Sequence, residues 1–111
     1  MRNLEKLKRL IRLRERIRDM RRAELVRAQR VAMEAQERHE GDLGTLSQQS
    51  SDLVSAGEMD ARSIQLGAEL VQIAHRTAER SKDIWDASEE DSQEHAQRMH
   101  LAQRDVKALE R

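Results

Sequence analysis

The chain has 111 residues, of which 21 are basic and 21 acidic, so its formal net charge is zero and no overall field favours nucleic acid or a membrane surface. It contains no Phe, Tyr, Pro or Cys and one Trp, which excludes disulfides and thiolate metal sites and argues against a compact aromatic core. No apolar run approaches the roughly 20 residues of a transmembrane helix. The composition favours a single all-α domain, residues 1–111, formed by a long coiled coil.

A first helix is predicted from about residue 2 to residue 49. Its apolar stripe changes phase near residues 20–25, which resembles a coiled-coil stutter. Gly41 and Gly44 weaken its last turns because glycine is a poor helix former. The stripe consists of Leu4, Leu7, Leu10, Ile11, Leu13, Ile17, Met20, Leu25, Ala28, Val31, Ala32, Ala35, Leu43 and Leu46.

The segment SQQSSDLVSAGEMD predicts the connection, with the turn near residues 50–55. Ser55 and Glu58 have the spacing of a capping box, so a second helix is expected from about residue 56 to residue 110. Two long helices joined by a short turn predict an antiparallel two-helix coiled-coil hairpin. The seam of the second helix has unbroken spacings of three and four residues: Ile64, Gly67, Val71, Ala74, Ala78, Ser81, Trp85, Ser88, Ser92, His95, Met99, Ala102, Val106 and Leu109.

The position of the turn predicts which residues face each other. With the turn near residue 55, residue i is expected to face about residue 110 − i. This register places the acidic run at residues 83–94 against the arginines at residues 16–27, and it places His39 opposite Val71. Opposite charges along the seam would then fix the pairing of the two helices.

Basic residues remain at the open end of the hairpin. Residues 1–12 have five basic residues against one acidic, residues 98–111 have four against two, and residues 40–60 have five acidic residues and no basic one. We therefore expect a basic surface where the two termini meet. Its residues are Arg2, Lys6, Lys8, Arg9, Arg12, Arg104, Lys107 and Arg111.

An apolar stripe of Leu66, Leu70 and Ile73 lies off the predicted seam, at heptad positions c, g and c. One interpretation is that the first helix or a second copy of the chain covers it. The other is that it docks another protein.

The sequence contains no motif that predicts an enzyme, a cofactor or a small-molecule substrate. Asp91 and His95, with Glu94 nearby, have a spacing that could hold a metal, but a polar layer in the seam is the simpler interpretation. A basic-region leucine zipper also begins with an arginine-rich helix. Here, however, an acidic stretch is expected to fold back on that helix, and Asn3 is the only Asn, so nucleic-acid binding is the weaker alternative.

Three segments, in order, resemble one protein family. LEKLKRLIRLRERIRDMRRAELVRAQR resembles the opening of the FliJ proteins of the bacterial flagellar export apparatus and of their type III secretion counterparts, the YscO-like proteins. SAGEMDARSIQLGAEL is similar to the start of the family's second helix, and LAQRDVKALER to its ending. The likeness covers most of the chain, although any charged coiled coil imitates each segment separately.

The resemblance implies an antiparallel two-helix coiled coil like the central stalk of a rotary ATPase. It also implies that both terminal ends insert into a hexameric export ATPase, and that the protein contacts the membrane export gate and export chaperones. The basic surface would then touch the ATPase ring, and Leu66, Leu70 and Ile73 the gate or a chaperone. The protein would be cytoplasmic and peripheral at the inner membrane. A generic coiled-coil adaptor or chaperone remains the alternative.

Overall fold

The structure is a computed structural model that describes residues 2–55 and 60–110. It consists of two α-helices, α1 (Arg2–Ser55) and α2 (Ala61–Glu110), and the described part of the chain contains no strand. Contacts pair early residues of α1 with late residues of α2, as in Arg14 with Asp105 and His39 with Ser81. The predicted all-α antiparallel two-helix coiled-coil hairpin is confirmed.

The turn does not lie where the serine-rich segment predicted it. Residues 50–55 are helical, and α1 ends at Ser55 rather than at residue 49. Local hydrogen bonds accommodate the polar side chains within the helix: the Ser55 hydroxyl donates to the Ser51 carbonyl oxygen at 2.8 Å, and Gln48 Nε2 donates to Asp52 Oδ1 at 2.8 Å. The predicted start of the second helix at residue 56 lies outside the described residues.

Asp60 caps the N-terminus of α2. Its Oδ1 accepts a hydrogen bond from the backbone N–H of Ser63 at 2.7 Å, and its carbonyl oxygen accepts one from the N–H of Ile64 at 3.1 Å. The Ser63 backbone N–H, followed by the Ser63 hydroxyl, lowers the pKa of Asp60 because both stabilise the carboxylate. The predicted capping box is therefore wrong for Ser55, which lies inside α1, while Glu58 lies outside the described residues.

The two helices divide into two compact units. Unit 1 contains Met1–Val31 and Ser88–Arg111, and unit 2 contains Ala32–Ala87. Each unit has a section of α1 packed against a section of α2. Within the described ranges, no helix is long and apolar enough to cross a membrane.

The seam predicted for α2 is confirmed at every position after Ile64. These thirteen residues, from Gly67 to Leu109, are buried or half-buried, and the other described residues of α2 are exposed. Ile64 departs from the prediction because it remains 49% exposed. A simple period of three and four residues therefore identifies the packing face of this helix.

The seam of α1 also runs without a break, so the predicted stutter near residues 20–25 is wrong. Arginines occupy seam positions in unit 1. Several leucines of the predicted apolar stripe are exposed instead, among them Leu10 at 39% and Leu13 at 53%. The observed seam consists of Ile11, Arg14, Arg18, Arg21, Leu25, Ala28, Ala32, Ala35, His39, Asp42, Leu46, Gln49 and Leu53, all of them buried or half-buried.

Small side chains dominate the buried apolar positions. Those of unit 2 are Ala32, Ala35, Ala74 and Ala78, and those of unit 1 are Ala28, Met99, Ala102 and Val106. Because such residues project little from the helix surface, the two backbones approach closely. At Gly67 the approach is close, since a Cβ atom there would lie 2.7 Å from Leu53 Cδ1.

Candidate docking surfaces

Contacts between the helices define the register of the hairpin. His39 Nδ1 lies 3.0 Å from Ser81 Oγ in unit 2, and Arg14 Nη1 lies 3.9 Å from Asp105 Oδ2 in unit 1. The residue numbers of these pairs add to 120 and 119, so residue i faces about residue 120 − i. The predicted register of 110 − i is wrong because α1 continues to Ser55, which moves the turn by about five residues and each partner by about ten.

This register changes the surroundings of the arginine-rich segment. Residues 16–27 are level with residues 93–104, in which Glu94 is the single acidic residue and Arg98 and Arg104 add positive charge. Two ion pairs of the segment lie within α1: Arg18 to Asp19 at 3.2 Å and Arg21 to Glu24 at 3.1 Å. The prediction that the acidic run at residues 83–94 faces these arginines is therefore wrong.

Two arginines of this segment, Arg18 and Arg21, belong to the seam itself, as does Arg14 just before the segment. Arg14, Arg18 and Arg21 are half-buried and, in this register, level with Val106, Ala102 and Met99. Those three residues of α2 are only 2%, 7% and 9% exposed. Arginine can cover an apolar neighbour with its methylene groups while the guanidinium group stays in water. The segment thus closes the core of unit 1 and keeps its positive charge at the surface.

The predicted basic surface lies in unit 1, and its described members are all exposed. The Arg14–Asp105 contact brings Arg12 to the level of Arg104 and Lys107. In the observed register Leu10 is level with Glu110, so residues 2–9, with the other four basic residues, extend past the described part of α2. Arg111 lies outside the described residues.

The basic surface is larger than the sequence predicted. Residues 2–22 contain ten basic residues against three acidic, and residues 98–110 contain three against two, which gives net charges of +7 and +1. Exposed leucines lie among these charges: Leu4 is 56% exposed, Leu7 41% and Leu13 53%. The first turns of α1 therefore present an amphipathic, cationic helix.

The apolar stripe is exposed. Leu66, Leu70 and Ile73 are 55%, 51% and 57% accessible, so α1 does not cover them. The stripe forms one wall of a groove in unit 2 that consists of two adjoining cavities of about 190 and 270 Å³, which share Gln49 and Leu70. The opposite wall belongs to α1 and is polar, with Asp42, Thr45, Gln49 and Asp52.

A polar cluster that the sequence did not predict surrounds His39. His39 is 9% exposed and bonds Ser81 across the seam, its ring centroid lies 5.7 Å from that of Trp85, and Lys82 Nζ lies 4.3 Å from the Trp85 ring centroid. The correct partner of His39 is thus Ser81 rather than Val71. The spacing of Lys82 and Trp85, three residues apart, was the available signal for their contact.

His95 forms a second polar layer, in unit 1. Its Nε2 lies 3.6 Å from Asp91 Oδ1, and its Nδ1 lies 3.7 Å from Glu24 Oε2. The second carboxylate is therefore Glu24 of α1, and not the neighbouring Glu94. Within residues 2–55 and 60–110 no group of three or more His, Cys, Asp or Glu side chains is arranged to hold a metal ion.

Comparison with known proteins gives no relative. The chain matches no protein-family model, no curated protein and no solved structure. Any assignment of function therefore depends on the two surfaces described above and on the resemblance of the three sequence segments.

Proposed function

We propose that the protein is a non-enzymatic stalk and escort component of a flagellar or related type III protein export ATPase. It inserts the basic surface of unit 1 into the hexameric ATPase ring and couples the ring to the export gate and to export chaperones. It works in the cytoplasm, peripherally at the inner membrane, and needs no cofactor, nucleic acid or small-molecule substrate.

The basic surface is the observation that carries the proposal. Its seven described members are exposed on a coiled coil of two helices, and the acidic run of α2 is not level with them. A narrow cationic coiled coil suits a ring with an acidic lining, since complementary charges steer a partner and orient it. The resemblance of the three segments to the FliJ and YscO-like proteins supports this choice of ring.

The stripe of Leu66, Leu70 and Ile73 supports contact with the gate or a chaperone. Side chains that are each more than half exposed and spaced at i, i+4 and i+7 form the kind of surface that another helix recognises. The stripe belongs to unit 2 and the basic surface to unit 1, so different residues serve the two partners.

A charge-reversal variant tests the proposal. Lys6→Glu, Lys8→Glu, Arg9→Glu and Arg12→Glu together should abolish stimulation of a flagellar or type III export ATPase by this protein. The helix should persist, because acidic side chains near a helix N-terminus are favourable. ATP hydrolysis is measured at several concentrations of the protein, and circular dichroism checks the fold.

The matched control reverses four exposed basic residues of unit 2, Arg38, Arg62, Arg76 and Arg80, and changes the net charge by the same amount. It should stimulate the ATPase as the wild type does. Equal stimulation by the wild type and the unit 1 variant would refute the role of the basic surface, and the generic adaptor would replace it.

Nucleic-acid binding is the second candidate, and the observed register favours it more than the sequence did. The acidic run that was expected to neutralise the arginines faces other residues, so residues 2–22 remain strongly basic. A fluorescence titration with duplex DNA at increasing salt separates the candidates. Phosphate contacts would give tight binding that falls steeply with salt, whereas the stalk proposal predicts weak binding with no preference for sequence.

A further inference from the structure

We propose that two copies of this chain associate head to tail. The first turns of α1 of one copy lie in the groove of the other copy, whose walls are Leu66, Leu70 and Ile73 of α2 on one side and the polar residues of α1 on the other. The contact does not depend on the function proposed above. It joins the two exposed apolar surfaces that carry opposite charge.

The groove has the shape and lining that an amphipathic helix requires. On α2 its wall carries the apolar side chains Leu66, Leu70 and Ile73, and on α1 its wall carries Asp42 and Asp52. Asp42 is half-buried there, and its Oδ2 has no hydrogen-bond partner among the described residues. An incoming helix with leucines on one side and cations on the other would cover the stripe and compensate this carboxylate.

The first turns of α1 are such a helix. Leu4 and Leu7 are three residues apart and 56% and 41% exposed, and Lys6, Lys8 and Arg9 lie among them with exposed side chains. Exposed leucines are stabilised when another apolar surface covers them.

The charges of the two surfaces are opposite and equal. Residues 2–12 have five basic residues and one acidic, a net charge of +4. Residues 40–55 have three acidic residues and no basic one, and residues 60–74 have two acidic and one basic, so the groove section has a net charge of −4. This complementarity identifies a second copy as the occupant, because the chain itself supplies the cationic helix.

The groove on the other side of unit 2 does not offer the same complementarity. It is lined by Leu43 and Leu46 of α1, but its α2 wall is charged, with His75 bonded to Glu79 at 2.8 Å and Lys82 bonded to Asp86 at 2.9 Å. Polar side chains on this wall are therefore already bonded to neighbours on α2.

A head-to-tail contact leaves one free helix and one free groove on every complex, so it predicts growth beyond dimers. Sedimentation velocity of the full chain, from low micromolar to millimolar concentration at low salt, should show species larger than a monomer. Added salt should weaken the association because it screens the opposite charges.

Two variants test the direction of the contact. L66S/L70S/I73S removes the groove wall, and L4S/L7S removes the apolar side of the incoming helix. Each should be monomeric alone at concentrations where the wild type associates, with affinity reduced by at least about tenfold. Mixed in equal amounts, they should form a one-to-one complex that grows no further, because each retains the half that the other lacks.

The control V26S/V31S removes exposed valines of α1 outside the groove and should associate as the wild type does. Circular dichroism of each variant establishes that it is folded, and if the groove variant loses helix, Asp42→Lys with Asp52→Lys replaces it in the mixture. A wild type that is monomeric at every concentration overturns the proposal. So does a mixture that fails to form the one-to-one complex, whatever the effect on ATPase stimulation.

Discussion

His39 and Ser81 form a buried polar pair in unit 2, where the buried apolar residues are alanines. The Ser81 hydroxyl donates to the Ala78 carbonyl oxygen at 3.0 Å, so its oxygen is free to accept the Nδ1–H of His39. A buried hydrogen bond contributes modestly to stability, whereas a buried polar group left without its partner is costly.

Ser81→Ala should therefore destabilise the protein by about 1–2 kcal/mol, because His39 keeps its buried ring nitrogen and loses the acceptor. His39→Leu with Ser81→Ala should recover most of that loss, since both polar groups are gone. Urea unfolding followed by circular dichroism measures the free energy of the wild type, both single variants and the double variant. Equal stability of S81A and the wild type would show that the pair is not formed.

Asp60 makes the stability of α2 depend on pH. Its pKa is lowered from its ordinary value of 3.8 by hydrogen bonds from Ser63, so the folded state binds the proton less readily than the unfolded state. The contribution of the cap is complete above pH 3.8 and is lost as the pH falls through the lowered pKa.

Asp60→Ala should consequently be less stable than the wild type at neutral pH, and the difference should shrink in strong acid, where Asp60 is protonated. The midpoint of thermal unfolding, measured for both proteins between neutral pH and pH 2, gives the difference directly. Asp60→Asn keeps a capping acceptor without a charge, so its stability should vary less with pH in this range. A difference that grows on acidification would contradict this account of the cap.

The packing face of α2 could be predicted from the sequence, whereas that of α1 could be predicted only in part. The seam of α2 is readable because small and apolar residues keep one phase from Gly67 to Leu109. The seam of α1 is concealed in unit 1, because arginines take seam positions while Leu10 and Leu13 are exposed. Hydrophobic periodicity predicts the wrong packing face of a helix when the methylene groups of arginine, rather than apolar side chains, cover the core.

The end of α1 was mispredicted for a different reason. Serine and aspartate favour turns through hydrogen bonds to nearby backbone, but the same side chains can bond within a helix, as Ser55 does to Ser51. An error of about five residues in the turn moved every predicted partner by about ten residues. The residues predicted to face each other across the seam were therefore wrong, whereas the described basic residues predicted at the open end are exposed.

Gly41 and Gly44 lie in the interior of α1, where a Cβ atom would meet nothing within 4 Å. Gly41→Ala and Gly44→Ala should each stabilise the protein by about 0.5–1 kcal/mol, because alanine loses less backbone entropy in a helix. Thermal unfolding of both single variants and the double variant measures this gain.

Gly67→Ala is the matched control. Its new methyl group would lie 2.7 Å from Leu53 Cδ1, so the Leu53 side chain must shift and offset part of the helix propensity gained. Its gain should therefore be smaller than that of Gly41→Ala. If Gly41→Ala and Gly44→Ala destabilise the protein, these positions are not in open helix.

Across the whole molecule the charge is divided between the units. Unit 1, over residues 2–31 and 88–110, has fifteen basic and ten acidic residues, a net charge of +5. Unit 2, over residues 32–55 and 60–87, has five basic and ten acidic residues, a net charge of −5. The zero net charge of the chain thus conceals two surfaces of opposite sign, which carry the two proposals.

The residues that oppose the arginine-rich segment depend on the register of the helices, and a pair of cysteines tests this register directly. The natural chain has no cysteine, so Ala28→Cys with Ser92→Cys introduces one pair, at seam positions of unit 1 whose numbers add to 120. Under mild oxidation at low protein concentration, this variant should close an intramolecular disulfide, measured by mass and by gel mobility. The comparison variant, Ala28→Cys with Lys82→Cys, has numbers that add to 110 and should stay reduced. A disulfide in the comparison variant and none between residues 28 and 92 would contradict the register and return the acidic run to a position opposite the arginines.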